Sequence, residues 1–148
     1  MKYVLILMSM LAISFSAIAD DTMKTQVSKH GFNETQTRLE TVLKEKGLTI
    51  FAKIDHAANA HQAGMQMQPA TVTIFGNPKG GTPFMVASPE AAIDFPLKAL
   101  VWADASGKVF LGYNTVSSIV VKHNIKGQNK LAKKLDGLLS VIAKSTTD

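Results

Sequence analysis

Side chains alternate in character in two short stretches of this chain, three more are short β-rich runs, and apolar residues recur at helical spacing in two longer stretches. Met23, Thr25 and Val27 alternate with Lys24, Gln26 and Ser28, which predicts a strand over 22–29 with one buried face. Asn33, with Gln36 three residues on, has the form of a capping box; Leu39, Val42 and Leu43 then make an i, i+3, i+4 stripe, and Gly47 is a stop. A helix over 34–46 follows. Leu48, Ile50, Ala52 and Ile54 alternate with Thr49, Phe51 and Lys53, giving a second strand that delivers Asp55 and His56 at its end. Asp55 can cap a short alanine-rich helix, Ala57 to Ala63, stopped by Gly64.

Ala70 to Phe75 is β-rich and predicts a third strand. Gly76-Asn77-Pro78-Lys79-Gly80-Gly81 has the punctuation of a loop. Thr82-Pro83 and Ser88-Pro89 each set a capping residue before a proline suited to the first helical position, so two short helical turns are expected in 83–94, ended by Pro96. Leu100 to Ala103 and Val109 to Tyr113 flank Asp104-Ala105-Ser106-Gly107 as an antiparallel hairpin, and Thr115 to His123 suits a short helix. Leu131, Leu135, Leu138, Leu139 and Ile142 mark one face of a long amphipathic helix, whose charge is carried by Lys130, Lys133, Lys134 and Lys144.

The start of the chain falls outside this pattern. Met1-Lys2 is basic, Tyr3 to Ile18 is nearly unbroken apolar and small residues, and Ala17-Ile18-Ala19 has the small-x-small form of a cleavage site. The run is shorter than the roughly 20 residues a membrane span needs, so it reads as a secretory signal, with the mature protein beginning at Asp20 in the periplasm or outside the cell. The 148 residues less a 19-residue leader leave 129, the size of one domain. The expected division is therefore 1–19 signal peptide and 20–148 a single α+β domain.

The absence of cysteine excludes disulfides, thiolate chemistry, cysteine zinc sites and a lipid-modified N-terminal cysteine. The net charge of +5, or +4 once Lys2 leaves, is spread along the chain, and export argues against nucleic acid as a partner.

Ile54-Asp55-His56 with Ala60, Ile74-Phe75-Gly76-Asn77-Pro78-Lys79, Gly81-Thr82-Pro83, Asp94-Phe95-Pro96-Leu97-Lys98 and Asp104-Ala105-Ser106-Gly107-Lys108 with Tyr113 together resemble the domain-of-unknown-function family 302. The likeness runs from about Val27 to His123. It implies an α+β domain in the order β-α-β-β-β-β-α, an antiparallel sheet with helices on one face, similar to the TATA-box-binding-protein-like type. It also implies self-association as a homodimer, and no particular reaction. Phe95 stands where the family more usually carries leucine, a packing change.

Three kinds of chemistry are open to these residues. The first is a non-enzymatic binding or interaction module whose ligand face is the strand-two end and the following loop, with Asp55, His56, Asn77, Lys79 and Tyr113 as candidates; Lys79 and the loop amides could hold a small anion. The second is a metal site of copper type, or an axial haem position, using His56, His61, Met65 and Met67. Five residues of helix separate the two imidazoles by roughly 140°, and the methionines serve equally as core or interface packing. The third is a hydrolase with His56 as base and Asp55 as its orienter, against which Asp55 as a plain helix cap is the simpler role. No catalytic serine elbow is present, so no catalytic residue is assigned. Phe84, Met85, Val86, Ile93 and Phe95 are a dimer patch if exposed and core if buried.

Overall fold

The computed structural model describes residues 23–148, so the signal peptide expected over 1–19 lies outside the described residues. Five strands form one sheet: β1 Met23–Val27, β2 Thr49–Asp55, β3 Ala70–Gly76, β4 Leu97–Ala103 and β5 Val109–Asn114. The helices are α1 Phe32–Glu45, α2 His56–Gln62, α3 Pro78–Ala87, α4 Val116–Lys122 and α5 Asn129–Thr147, with a 3₁₀ turn at Pro89–Ile93. The strand order is β1-β5-β4-β3-β2 and every pairing is antiparallel. The expected β-α-β-β-β-β-α order holds, with α2, α3 and α4 as insertions.

The alternation seen in the sequence sorts the sheet into two faces. Thr73 and Phe75 of β3, Ala99 and Val101 of β4, and Leu111 and Tyr113 of β5 are buried on one face. Leu39, Val42 and Leu43 of α1 and Leu139, Ile142 and Ala143 of α5 close the core over them. The opposite face carries Val72, Leu100, Trp102 and Phe110, the last two stacked at 5.1 Å between ring centroids. Gly112 makes room for this pair, since a Cβ there would stand 3.0 Å from the Trp102 ring and 3.3 Å from the Met23 methyl.

Two side chains tie the helical layer together through helix ends. Arg38 donates from Nε to the Thr146 carbonyl at 2.9 Å and from Nη2 to the Ser145 carbonyl at 3.0 Å, satisfying acceptors that the end of α5 leaves over. Asp136, midway along α5, accepts from the Val116 N–H at 2.6 Å, from the Ser117 N–H at 3.3 Å and from the Ser117 hydroxyl, so a carboxylate from one helix caps the start of α4.

Several elements differ from the sequence expectation. The expected 76–81 loop is mostly helix: Asn77 is the N-cap of α3, its Oδ1 accepting from the Lys79 N–H at 2.9 Å, and Pro78 is the first helical residue. Asn77-Pro78 is the same cap-then-proline signal found at Thr82-Pro83, one turn and a residue earlier. Pro83 therefore lies inside α3 rather than starting a helix. Helix α1 begins at Phe32 with Gly31 at the cap position and no side-chain cap, and Gln36 reaches across to the Thr73 hydroxyl at 2.9 Å instead of closing a capping box. Strand β4 begins three residues before the expected Leu100.

Asp136→Ala removes the shared cap and is expected to cost about 1–3 kcal/mol. The check is urea unfolding, in which the midpoint falls while the slope is unchanged.

Candidate functional site

Where β3 ends at Gly76, the sheet, α3 and α5 enclose a cavity of about 210 Å³ with one side open to solvent. Leu135, Leu138 and Leu139 of α5 form one wall, Phe51 and Leu48 another, and Met85 and Phe95 a third. Each wall has a local cause. The helical stripe that buries Leu139 in the core sets Leu135 one turn earlier on the same side, with Leu138 three residues after Leu135 beside it. Phe51 is the extra residue of a β-bulge: the β2–β3 register runs from Ile50 opposite Phe75 to Ala52 opposite Ile74 and leaves it without a partner. Phe95 is held by stacking on buried Phe84 at 5.5 Å between centroids.

The third element is an absence of side chains. Gly80 and Gly81 lie in the first turns of α3 and neither has positive φ, so the backbone conformation does not demand glycine. Alanine would favour the helix by roughly 1 kcal/mol at such positions. A Cβ on Gly81 would stand 3.4 Å from the Phe95 ring and 3.9 Å from the Met85 methyl, and one on Gly80 3.8 Å from Leu135. What the two glycines provide is open volume.

The residues singled out in the sequence do not converge on one site. Because β2 and β3 are antiparallel, Asp55 is opposite Thr71 while Gly76 is opposite Thr49. Six residues of strand, roughly 20 Å, therefore separate Asp55 and His56 from Asn77 and Lys79. The expected single ligand face, made from the strand-two end and the Gly76 to Lys79 segment, is corrected to two opposite ends of the sheet. Tyr113 belongs to neither. It lies within the sheet opposite Ala99, buried on the helix-covered face. Burial pushes its hydroxyl up; Asp136 adds to this, while Ser140 and Lys24 work against it.

At the Asp55 end, Oδ1 accepts from the Ala58 N–H at 2.9 Å, the helix-cap role. His56 and His61 are exposed on α2, and Met65 and Met67 are exposed after it. Among the described residues no group of three or more His, Cys, Asp or Glu is placed to hold a metal ion. At the Asn77 end, the N–H groups of Gly80 and Gly81 donate to the Asn77 carbonyl at 2.9 and 3.1 Å, and that of Lys79 to the Asn77 side chain. The amides expected to cradle an anion are thus engaged in starting α3. Of the expected dimer patch, Phe84 is buried, while Val86 and Ile93 are 77% and 75% exposed, so the five residues do not form one surface.

A polar cluster outside the sequence expectations adjoins the Phe95 wall of the cavity. Asp94, next to Phe95, pairs with His123 Nε2 at 2.5 Å and with Lys122 Nζ at 3.0 Å, which joins the end of the 3₁₀ turn Pro89–Ile93 to the end of α4. Burial works to raise the Asp94 carboxyl, but the hydrogen bonds and charges of His123 and Lys122 together outweigh it and hold the group below its ordinary value.

The family described as "Domain of unknown function DUF302" matches residues 23–142. Among curated proteins the chain is similar to the fluoride-specific ion channel FluC 1 of Brucella suis biovar 1 (strain 1330), 34% identical over 119 residues. It is equally similar to FluC 2 of Brucella melitensis biotype 1, also 34% identical over 119 residues. These matches cover 80% of this chain but only 47% and 44% of the relatives, so the chain spans less than half the length of the curated proteins it matches. Among solved structures it is similar to the crystal structure of an uncharacterized conserved DUF302 protein from Bacillus stearothermophilus. The TM-score is 0.78 at 19% identity, over 85% of this chain and 98% of that one, which shows a shared fold.

The Asp94 cluster has a defined pH signature. A carboxyl whose folded pKa is depressed contributes stability that is complete above the ordinary aspartate value, near 4, and is lost as pH falls through the folded value. Asp94→Asn is expected to unfold at lower urea than the native protein at pH 7, with the difference shrinking below about pH 4. Paired unfolding curves across that range check it.

Proposed function

The chain belongs to the DUF302 family, a domain of unknown function, and on that footing we propose that it is a non-enzymatic binding module that holds a small molecule in the cavity between β2, α3 and α5. The observation that carries this is the cavity itself. Its volume is kept open by two glycines where helix propensity favours alanine, and by a bulge that turns Phe51 toward it. A concave apolar site with few polar groups is the usual form of a small-molecule site. Asp55 and His56 lie at the other end of β2 and take no part in it. The expected signal peptide, if cleaved near Ala19, places this module in the periplasm or outside the cell.

The channel activity named for the Brucella relatives does not come with the similarity. On our reading the shared stretch is a binding domain joined to a channel. In support, the matched region is under half of each relative, and among the described residues no helix is long and apolar enough to cross a membrane.

A second reading, self-association as a homodimer, is favoured by the sheet face opposite the helices. Met23, Val27 and Ile54 are 43%, 49% and 37% exposed around the Trp102–Phe110 stack, which makes that face a better candidate for sheet-on-sheet packing than the expected Phe84 to Phe95 patch.

Two measurements check these readings. Protein isolated from its own cells is expected to release a small organic molecule on denaturation, seen by mass spectrometry, and Leu135→Trp, which fills the cavity, to release none. In sedimentation velocity the native protein is expected to run as a dimer and Val27→Glu as a monomer, whereas Val86→Glu leaves the dimer intact.

A further inference from the structure

We propose that the ligand of this cavity is an uncharged, apolar molecule about the size of one benzene ring with two or three carbon substituents, an inference that rests on the small-molecule reading above. The chemistry of the wall sets the charge. None of the residues lining the cavity is Asp, Glu, Lys, Arg or His, and the polar side chains among them are Asn77 and Thr82. The Asn77 carboxamide oxygen already accepts from the Lys79 N–H, and its carbonyl takes the N–H groups of Gly80 and Gly81. A carboxylate or ammonium group entering this space would give up water with no charged partner to replace it, which is strongly unfavourable.

Volume sets the size. At about 210 Å³ the cavity exceeds the roughly 150 Å³ in which an engineered apolar cavity holds benzene, and the excess corresponds to a few carbon atoms. A long acyl chain is too large to be enclosed. The shape also favours a ring. Phe51 and Phe95 come from different elements to line the same space, which suits offset or edge contacts with an aromatic guest, and the flexible Met85 side chain can adjust to its outline.

The test uses a matched pair of probes, propylbenzene and phenylacetate, titrated into the purified native protein with methyl labelling at leucine and methionine. Propylbenzene is expected to shift the methyl resonances of Leu135, Leu138 and Met85, and phenylacetate to bind at least tenfold more weakly. Leu135→Trp is expected to abolish the propylbenzene shifts; should that variant fail to fold, Met85→Phe and Gly81→Ala reduce the same volume from the other wall and are expected to weaken binding several-fold. Phenylacetate binding as tightly as propylbenzene at the same methyls would overturn the uncharged class while leaving the small-molecule reading standing. Failure of both probes to shift these methyls would overturn the inference together with that reading. Shifts at Leu135 that appear on raising protein concentration with no probe present would put a second copy in the cavity, and would overturn it as well.

Discussion

Leu139, Ile142 and Ala143 are buried against the sheet, and this packing fixes the rotation of α5 about its own axis. Once that rotation is fixed, the rest of the helix has no freedom to place its side chains elsewhere. Leu135 and Leu138 are presented where β3 ends, and they become the floor of the cavity. Asp136 is presented to the start of α4, and the carbonyls of Ser145 and Thr146 are presented to Arg38 on α1. One apolar stripe thus serves as core at its centre and as site at its N-terminal side. A substitution that rolled the helix by a fraction of a turn would disturb core, cap and cavity together, because the interior is close-packed and has no slack to absorb it.

Much of this was legible in the sequence wherever the physics is local. The α5 stripe and the Asp55 cap each depend on residues within a few positions of one another, and each appears as expected. Strands β1 and β2 also form where their alternation predicts, but the face of Met23, Val27 and Ile54 that was expected to be buried is exposed, because the helices cover the other side of the sheet. The start of α3 is local too, yet three glycines and two prolines at 76–83 make a stronger loop signal than the Asn77-Pro78 cap makes a helix signal. There the space left by glycine mattered more to the fold than its flexibility.

The site was not legible, and the reason is pairing. Residues at the ends of successive apolar runs are neighbours only if the strands are parallel or if ends of opposite sense are compared. Antiparallel β2 and β3 instead put His56 and Lys79 at opposite ends of the sheet. The cavity draws Phe51, Phe95 and Leu135 from three elements scattered along the chain, with no motif in common. The sequence clue that does exist is modest: Gly80 and Gly81, side by side in a helix with no backbone need for glycine.

The pairing of the first strand with the last has a consequence for how the chain becomes folded. Met23 is opposite Asn114, and the Lys29 N–H donates to the Thr147 carbonyl at 2.9 Å, so the sheet is complete only after residues some 90 positions apart have met. Closing a flexible loop of that length costs about 4 kcal/mol of chain entropy. Strands β3, β4 and β5 pair between neighbours in sequence and can assemble before that cost is met, while β1 has only β5 to pair with. The order of assembly implied is a central meander first and the N-terminal strand last, so the edge of the sheet that β1 occupies stays open until the α5 end of the chain is available to hold it.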